Sequence, residues 1–227
     1  MYAIMLFHAE DDIRTIVRSR GLGDVYTRPT LWDNLATSAR RYPDKTAIRF
    51  FDRSLSYRDL LRQCETLAAW LSGAGVRPGD RVLVMMQNCP QLVIAHYAIM
   101  RANAVVVPIN PMNRSAELEH YLQDTQASVC VCSQEVFPHL EPLIGQERLR
   151  HVIVAAYSDY IDPRTDLDLP AEVAAPAQPL STAGAIAWGD ALNAGHKPGE
   201  LLVGPDDLAV FPYSFGTTGA PKGCMHT

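Results

Sequence analysis

Residues 213–223 combine the residue types that are suited to holding phosphate groups. The segment reads Tyr-Ser-Phe-Gly-Thr-Thr-Gly-Ala-Pro-Lys-Gly. Glycine allows neighbouring backbone N–H groups to converge on an anion. Hydroxyl groups add hydrogen-bond donors, and a lysine ammonium adds a mobile positive charge for phosphate oxygens. The segment therefore predicts a phosphate-binding loop, with an ordinary Gly/Thr/Pro turn as the alternative.

This loop differs from the P-loop of many nucleotide-binding proteins. In the P-loop a glycine precedes the lysine, whereas here Pro221 precedes Lys222. The candidate phosphate-binding residues are those that carry a hydroxyl group, an ammonium group or a glycine backbone. They are Ser214, Gly216, Thr217, Thr218, Gly219 and Lys222.

Other patterns that could bind a nucleotide or a metal are incomplete. Gly73, Gly75 and Gly79 lack the spacing of a dinucleotide-binding fingerprint and follow a predicted helix instead of a strand. The seven histidines form no His-x-x-x-His pair and none lies in a G-x-S-x-G motif. Cys130 and Cys132 are either a metal or redox pair or two small buried side chains of a strand, and the packing of free cysteine favours the second interpretation.

The composition is that of a soluble globular protein. The chain has 227 residues, of which 48% are hydrophobic and 20% charged. A net charge of -5 with interspersed signs does not favour nucleic acid or an anionic membrane surface as a partner. Five cysteines imply no disulfide framework and favour a reducing cytoplasm. The sequence predicts no secretory signal and no transmembrane segment, because no apolar run approaches ~18 residues.

Helical and strand-like patterns alternate ahead of the loop. Thr30 with Asp33, and Ser56 with Asp59, predict the N-termini of two helices. Continuous apolar runs are typical of strands buried in a parallel sheet. Besides the two helices that begin at these caps, the sequence predicts helices over 90–101, 113–124, 134–144 and 185–193. The predicted strands cover 46–51, 81–86, 104–109, 129–132, 152–155 and 206–213.

This alternation predicts an α/β fold with a mostly parallel sheet flanked by helices. Residues 162–178, rich in Pro, Ala and Asp, are predicted to form a surface loop. Three segments are expected: an N-terminal extension over 1–28, a first α/β subdomain over 29–204, and the first strand and phosphate loop of a second, truncated subdomain over 205–227.

The loop and four earlier segments resemble the adenylate-forming superfamily in order and spacing. The loop is similar to its phosphate-loop signature, Tyr-Thr-Ser-Gly-Thr-Thr-Gly-x-Pro-Lys-Gly. Asn110-Pro111 and residues 223–227 resemble the fatty and medium-chain acyl-CoA synthetases within it. The resemblance implies the truncated N-terminal domain of such an enzyme. The four earlier segments are 41–48, 52–57, 75–80 and 107–111.

The resemblance also implies an activity and its participants. An AMP-forming acyl-CoA synthetase converts a carboxylic acid, ATP and coenzyme A to acyl-CoA, AMP and pyrophosphate through an acyl-adenylate. Ser214 would lie near Mg²⁺, the residues from Gly216 to Gly219 would surround the β- and γ-phosphates, and Lys222 would lie nearby. The expected acid is a fatty or medium-chain acid. The expected location is the cytoplasm, and a homodimer is left open.

Two departures from the superfamily shape these expectations. Phe215 stands where the family usually has Ser or Thr, which removes a hydroxyl donor. The family's magnesium-binding glutamate, ribose-binding aspartate, acyl pocket and catalytic lysine would follow residue 227. We therefore expect no adenylation by the 227 residues alone and assign no catalytic residue. A catalytically dead nucleotide- or partner-binding protein, and an aryl-acid or luciferase-like ligase, are the alternatives.

Overall fold

The computed structural model describes residues 29–214 and 222–227. Helices and strands alternate along this part of the chain, as the sequence predicts. The helices are α1 (Leu31–Arg41), α2 (Tyr57–Gly73), α3 (Pro90–Arg101), α4 (Ser115–Thr125), α5 (Phe137–Leu140), α6 (Ala171–Ala174) and α7 (Trp188–Leu192). The strands are β1 (Thr46–Phe50), β2 (Arg53–Ser56), β3 (Arg81–Met85), β4 (Val105–Pro108), β5 (Val129–Ser133), β6 (His151–Ala155), β7 (Ala185–Ala187), β8 (Tyr213–Ser214) and β9 (Lys222–Gly223).

Within the described residues, the central sheet has five parallel strands in the order β4-β3-β5-β6-β7. The chain passes from β3 to β4 on one side, and α4 then returns it to β5 on the other side. The strand order therefore reverses at β3, as in doubly wound α/β domains. This confirms the predicted α/β fold with a mostly parallel sheet.

Helices cover both faces of this sheet because alternate side chains of a strand point to opposite faces. Val82, Val84 and Val131 belong to the core that contains α2 and α3. Leu83 and Cys130 belong to the core that contains α4. A strand buried on both faces is mostly apolar, and this is why residues 82–85 of β3 and 129–132 of β5 are continuous apolar runs in the sequence.

Both predicted helix caps are present. The Thr30 hydroxyl accepts a hydrogen bond from the Asp33 backbone N–H at 3.3 Å, and the Asp33 carboxylate accepts one from the Thr30 backbone at 2.8 Å. Ser56 accepts a bond from the Asp59 backbone at 3.1 Å. These side chains satisfy N–H groups that the first turn of a helix leaves without partners.

Several predicted elements differ from the structure for reasons that involve proline. The helix predicted over 134–144 is reduced to α5 and one 3₁₀ turn, Glu141–Leu143. Pro138 and Pro142 lack the N–H groups that a longer helix needs. The strand predicted over 206–213 is wrong in extent, since only Val210 forms a bridge before β8. Pro212 has no backbone N–H group, so it cannot donate a hydrogen bond to a neighbouring strand.

Three other elements differ from their predictions. The helix predicted over 185–193 is wrong at its start, because residues 185–187 form β7 along β6 and only α7 is helical. The strand β2 was not predicted and pairs antiparallel with β1. The predicted surface loop 162–178 contains the one-turn helix α6.

Every helix within the described residues is too short or too polar to cross a lipid bilayer.

Candidate phosphate-binding site

The structure places the two ends of the predicted phosphate loop opposite each other. Ser214 pairs with Lys222, and Tyr213 pairs with Gly223, in an antiparallel two-stranded ladder. The Lys222 side chain is exposed. Gly216, Thr217, Thr218 and Gly219, and also Phe215, lie outside the described residues, so their predicted contacts with phosphate stay predictions.

This ladder extends into a longer structure, which we call the edge hairpin (residues 209–214 and 222–226). Val210 bridges Val106 of β4 in parallel and His226 in antiparallel orientation. The Val106 N–H donates to the Ala209 carbonyl at 3.0 Å, and the Phe211 N–H donates to the Val106 carbonyl at 2.8 Å. The edge hairpin therefore continues the central sheet beyond β4.

The direction of this pairing determines where the loop lies. Because residues 209–214 run parallel to β4, Ser214 follows the carboxyl end of that strand. Ligands of open α/β sheets bind outside the carboxyl ends of the strands. The candidate loop is therefore attached at the edge of the sheet where this fold class binds ligands.

Tyr213 links the edge hairpin to α4. Its ring lies edge-on to Tyr121, with 4.6 Å between ring centroids, and to Phe211 at 5.4 Å. Its hydroxyl donates a hydrogen bond to the Asp124 carboxylate. Burial, and then the hydrogen bond to Asp124, raise the pKa of Tyr213, so the hydroxyl remains a donor at neutral pH.

Gly223 allows the close approach of Phe211 to the backbone of β9. A Cβ atom at this position would lie 2.7 Å from both Cε atoms of the Phe211 ring. Real Cβ atoms do not approach other atoms so closely, so a larger residue would force the Phe211 ring or the β9 backbone to shift. The glycine at this end of the motif is therefore explained by packing.

A second polar network joins the carboxyl ends of three strands, and no pattern in the sequence predicts it. Tyr157, after β6, donates to the Glu135 carboxylate at 2.6 Å, as does Ser133 of β5 at 2.5 Å. The Gln87 N–H, after β3, donates to the Tyr157 hydroxyl at 3.1 Å. Burial, followed by the bond to Glu135, raises the pKa of Tyr157. The partners of Tyr157 lie 22 and 70 residues away along the chain, so no local pattern in the sequence marks this residue.

The cysteine pair behaves as small buried side chains. Cys130 and Cys132 are fully buried on β5, and burial raises the pKa of the Cys130 thiol. Within the described residues, no group of three or more His, Cys, Asp or Glu side chains is arranged to hold a metal ion. The structure therefore agrees with the packing interpretation of this pair.

Comparison with known proteins identifies one matching family and relatives that are similar in sequence. The profile of a family described as AMP-binding enzyme matches residues 35–227. A long-chain-fatty-acid–CoA ligase of Bacillus subtilis (strain 168) is 35% identical over 211 residues, covering 87% of this chain and 36% of the relative. A feruloyl-CoA synthase of an Amycolatopsis species is 32% identical over 211 residues, covering 93% of this chain and 34% of the relative. The chain thus spans about a third of the length of these curated relatives.

Solved structures agree on the fold. A long-chain-fatty-acid-CoA ligase from Archaeoglobus fulgidus superposes with a TM-score of 0.65 at 27% identity, covering 91% of this chain and 38% of that one. An anthranilate CoA ligase in complex with anthranoyl-AMP superposes with a TM-score of 0.72 at 24% identity, covering 88% of this chain and 35% of that one. The second comparison supports the fold alone.

Proposed function

This chain belongs to the AMP-binding enzyme family, and from that membership we propose that it is the N-terminal part of an AMP-forming acyl-CoA synthetase. The observation that carries the proposal is the edge hairpin, which pairs Ser214 with Lys222 beyond the carboxyl end of β4. Of the two curated relatives described above, one is named a long-chain-fatty-acid–CoA ligase and the other a feruloyl-CoA synthase, and both names support the formation of an acyl-CoA.

The proposed reaction has two steps. The carboxylate of an acid attacks the α-phosphorus of ATP, which forms an acyl-adenylate and releases pyrophosphate. The thiol of coenzyme A then displaces AMP and gives acyl-CoA. The first step requires mostly correct positioning and the neutralisation of phosphate charge.

In this proposal the loop binds the triphosphate of ATP. The ammonium group of Lys222, exposed at the end of the edge hairpin, offers a charge to phosphate oxygens. Backbone N–H groups of Gly216 and Gly219 and the hydroxyls of Thr217 and Thr218 supply donors. Mg²⁺ would neutralise phosphate charge when bound, and Ser214 would contribute one oxygen ligand, the type of ligand that Mg²⁺ prefers.

The proposed substrate is a fatty or medium-chain carboxylic acid, used with ATP and coenzyme A in the cytoplasm. The name of the Bacillus subtilis relative supports a long-chain acid. The name of the Amycolatopsis relative favours a second candidate, an aryl acid such as ferulate. We propose no nucleic-acid partner, since the net charge is negative, and we leave the homodimer as a hypothesis.

The test is acyl-CoA formation by the complete protein with palmitate, octanoate and ferulate as competing acids. We expect activity with one of the two aliphatic acids and a loss of at least about 100-fold in kcat/KM for ATP in Lys222→Gln. Lys197→Gln, which changes another exposed lysine outside the edge hairpin, is the matched control. Preference for ferulate would favour the aryl-acid ligase, and ATP binding without turnover would favour the catalytically dead protein.

A further inference from the structure

A cavity lies at the carboxyl ends of β6 and β7, distant in the strand order from the edge hairpin. It has a volume of about 300 Å³. The 3₁₀ turn Tyr157–Tyr160 and helix α7 follow these two strands and form one wall, and α2 forms the other. Ligand pockets range over roughly 300–1,000 Å³, so this cavity has room for a small molecule.

The floor of the cavity carries a directed chain of hydrogen bonds. The indole N–H of Trp188 donates to the Tyr160 hydroxyl at 3.3 Å, and this hydroxyl donates to the Gln63 side-chain carbonyl. An indole N–H can only donate, so the Tyr160 oxygen accepts that bond, and its own O–H remains to donate to the Gln63 carbonyl oxygen. Gln63 therefore uses its carbonyl oxygen in this chain, and its NH₂ group keeps its two donors for a ligand.

The rim of the cavity adds two guanidinium groups. Arg53 lies over the Tyr160 ring, with 5.8 Å from Cζ to the ring centroid, and donates to the Asp159 carbonyl at 3.0 Å. Arg62 donates to Asp59 at 3.2 Å. Each guanidinium has five N–H donors, so both retain donors beyond these bonds. Among the described residues that line the cavity, Asp159 is the one acidic residue, so the two arginines outnumber the carboxylates.

From these donors we infer that the cavity is a binding site for a small organic anion that carries a carboxylate or a phosphate. Guanidinium groups bind both kinds of oxyanion with paired hydrogen bonds, and the Gln63 NH₂ group adds a neutral donor. Trp188 and Tyr160 also line the cavity, so an apolar portion of the same ligand would contact aromatic side chains. This site is independent of the proposed ligase reaction and of the phosphate loop.

The test is calorimetric titration of the complete protein with benzoate and, separately, with inorganic phosphate. We expect saturable binding of at least one of them with a Kd on the order of 1 mM or lower. Benzoate binding would identify a carboxylate ligand, and phosphate binding would identify a phosphate ligand. Arg53→Gln and Gln63→Glu should each weaken the binding at least about tenfold. Gln63→Glu keeps an acceptor for Tyr160 but presents a negative charge to the ligand.

Arg58→Gln is the matched control. Arg58 lies on the same helix as Arg62 but pairs with Asp44 at 2.8 Å, away from the cavity. This variant should bind both probes as the unchanged protein does. Absence of saturable binding of both probes would overturn the inference, and so would equal affinities for the unchanged protein and the two cavity variants.

Discussion

The central sheet and the edge hairpin are held in different ways. All residues of β5, and all but the first of β3, are buried, and side chains of both helical layers pack against them. Residues 209–213 are only half-buried, and most of residues 222–227 are exposed. The edge hairpin therefore depends on hydrogen bonds to β4, one tyrosine–aspartate bond and a few aromatic contacts. Regions with little burial open more readily than the core, so the predicted phosphate loop is attached to the less stable region.

The largest expected effect comes from breaking the central sheet. Leu83 of β3 is fully buried between Val107 and Cys130. Leu83→Ala removes buried methyl groups and leaves a cavity, so the free energy of unfolding should fall by about 3 kcal/mol. Urea denaturation measures this change. Leu202→Ala, at a side chain that is 61% exposed, should cost under about 0.5 kcal/mol, and an equal loss in both variants would contradict the comparison.

An intermediate effect is expected at the connection between the two regions. Asn103, after α3, donates to the Glu200 carbonyl at 2.8 Å and accepts from the backbone of Leu202 at 2.7 Å and Val203 at 3.3 Å. Its φ of 62° suits asparagine better than most residues. Asn103→Ala should lower the free energy of unfolding by about 2 kcal/mol, because it removes three hydrogen bonds.

Asn103→Gly separates the two causes. Glycine removes the same hydrogen bonds but adopts a positive φ without strain. It should therefore be less destabilising than alanine in the same urea denaturation. If glycine proves as destabilising as alanine, the backbone conformation contributes nothing and the hydrogen bonds account for the whole effect.

A smaller and more local effect is expected within the edge hairpin. Tyr213→Phe keeps the ring contacts but removes the hydrogen bond to Asp124. The loss is about 1 kcal/mol, because the exposed Asp124 carboxylate can bond to water instead. Hydrogen exchange should become about fivefold faster at the Ala209 and His226 amides, which bond within the edge hairpin.

Exchange at amides of β5 is the internal control for this variant and should not change. Tyr97→Phe, at a half-buried tyrosine of α3, is the matched substitution and should leave the edge hairpin unaffected. Faster exchange in β5 as well would mean that the edge hairpin and the sheet open together, and the contrast between the two regions would then be wrong.

Elements that depend on neighbours in the chain could be predicted from the sequence, whereas elements that depend on distant partners could not. Caps and buried strands depend on neighbours in the chain, and both caps, β3 and β5 agree with their predictions. The strand β7 depends on its pairing with β6, and a short Ala-Ile-Ala run is equally compatible with the start of a helix.

In the candidate site, the sequence predicts a loop between Tyr213 and Gly223, and this stays a prediction, but it does not predict the contacts that join the ends of this segment to the rest of the fold. Tyr213 belongs to the motif, but its partner Asp124 lies 89 residues earlier. Nothing local marks Asp124 as different from any other acidic residue near the end of a helix. Contacts of this kind follow from the path of the whole chain, which places α4 beside the extension of β4.

The smallest effect is expected at the N-terminal cap of α2, which depends only on residues that are neighbours in the chain. Hydrogen bonding from Ser56, followed by the contribution of Arg62, lowers the pKa of Asp59 although burial opposes the shift. Asp59→Asn should therefore cost only about 0.5 kcal/mol at neutral pH, since it removes a negative charge from a helix N-terminus. Glu65→Gln, which removes a carboxylate from the middle of the same helix, is the control without a capping role.

The pH dependence gives this small effect a sign that can be checked. A carboxyl whose pKa is lower in the folded protein stabilises the fold above its unfolded pKa, here 3.8, and this contribution disappears as the pH falls through the folded value. The difference in unfolding free energy between the unchanged protein and Asp59→Asn should thus be present at about pH 7 and shrink towards about pH 3. A difference that grows on acidification would mean that the charge of Asp59 destabilises α2, and that the cap depends on the Ser56 hydroxyl alone.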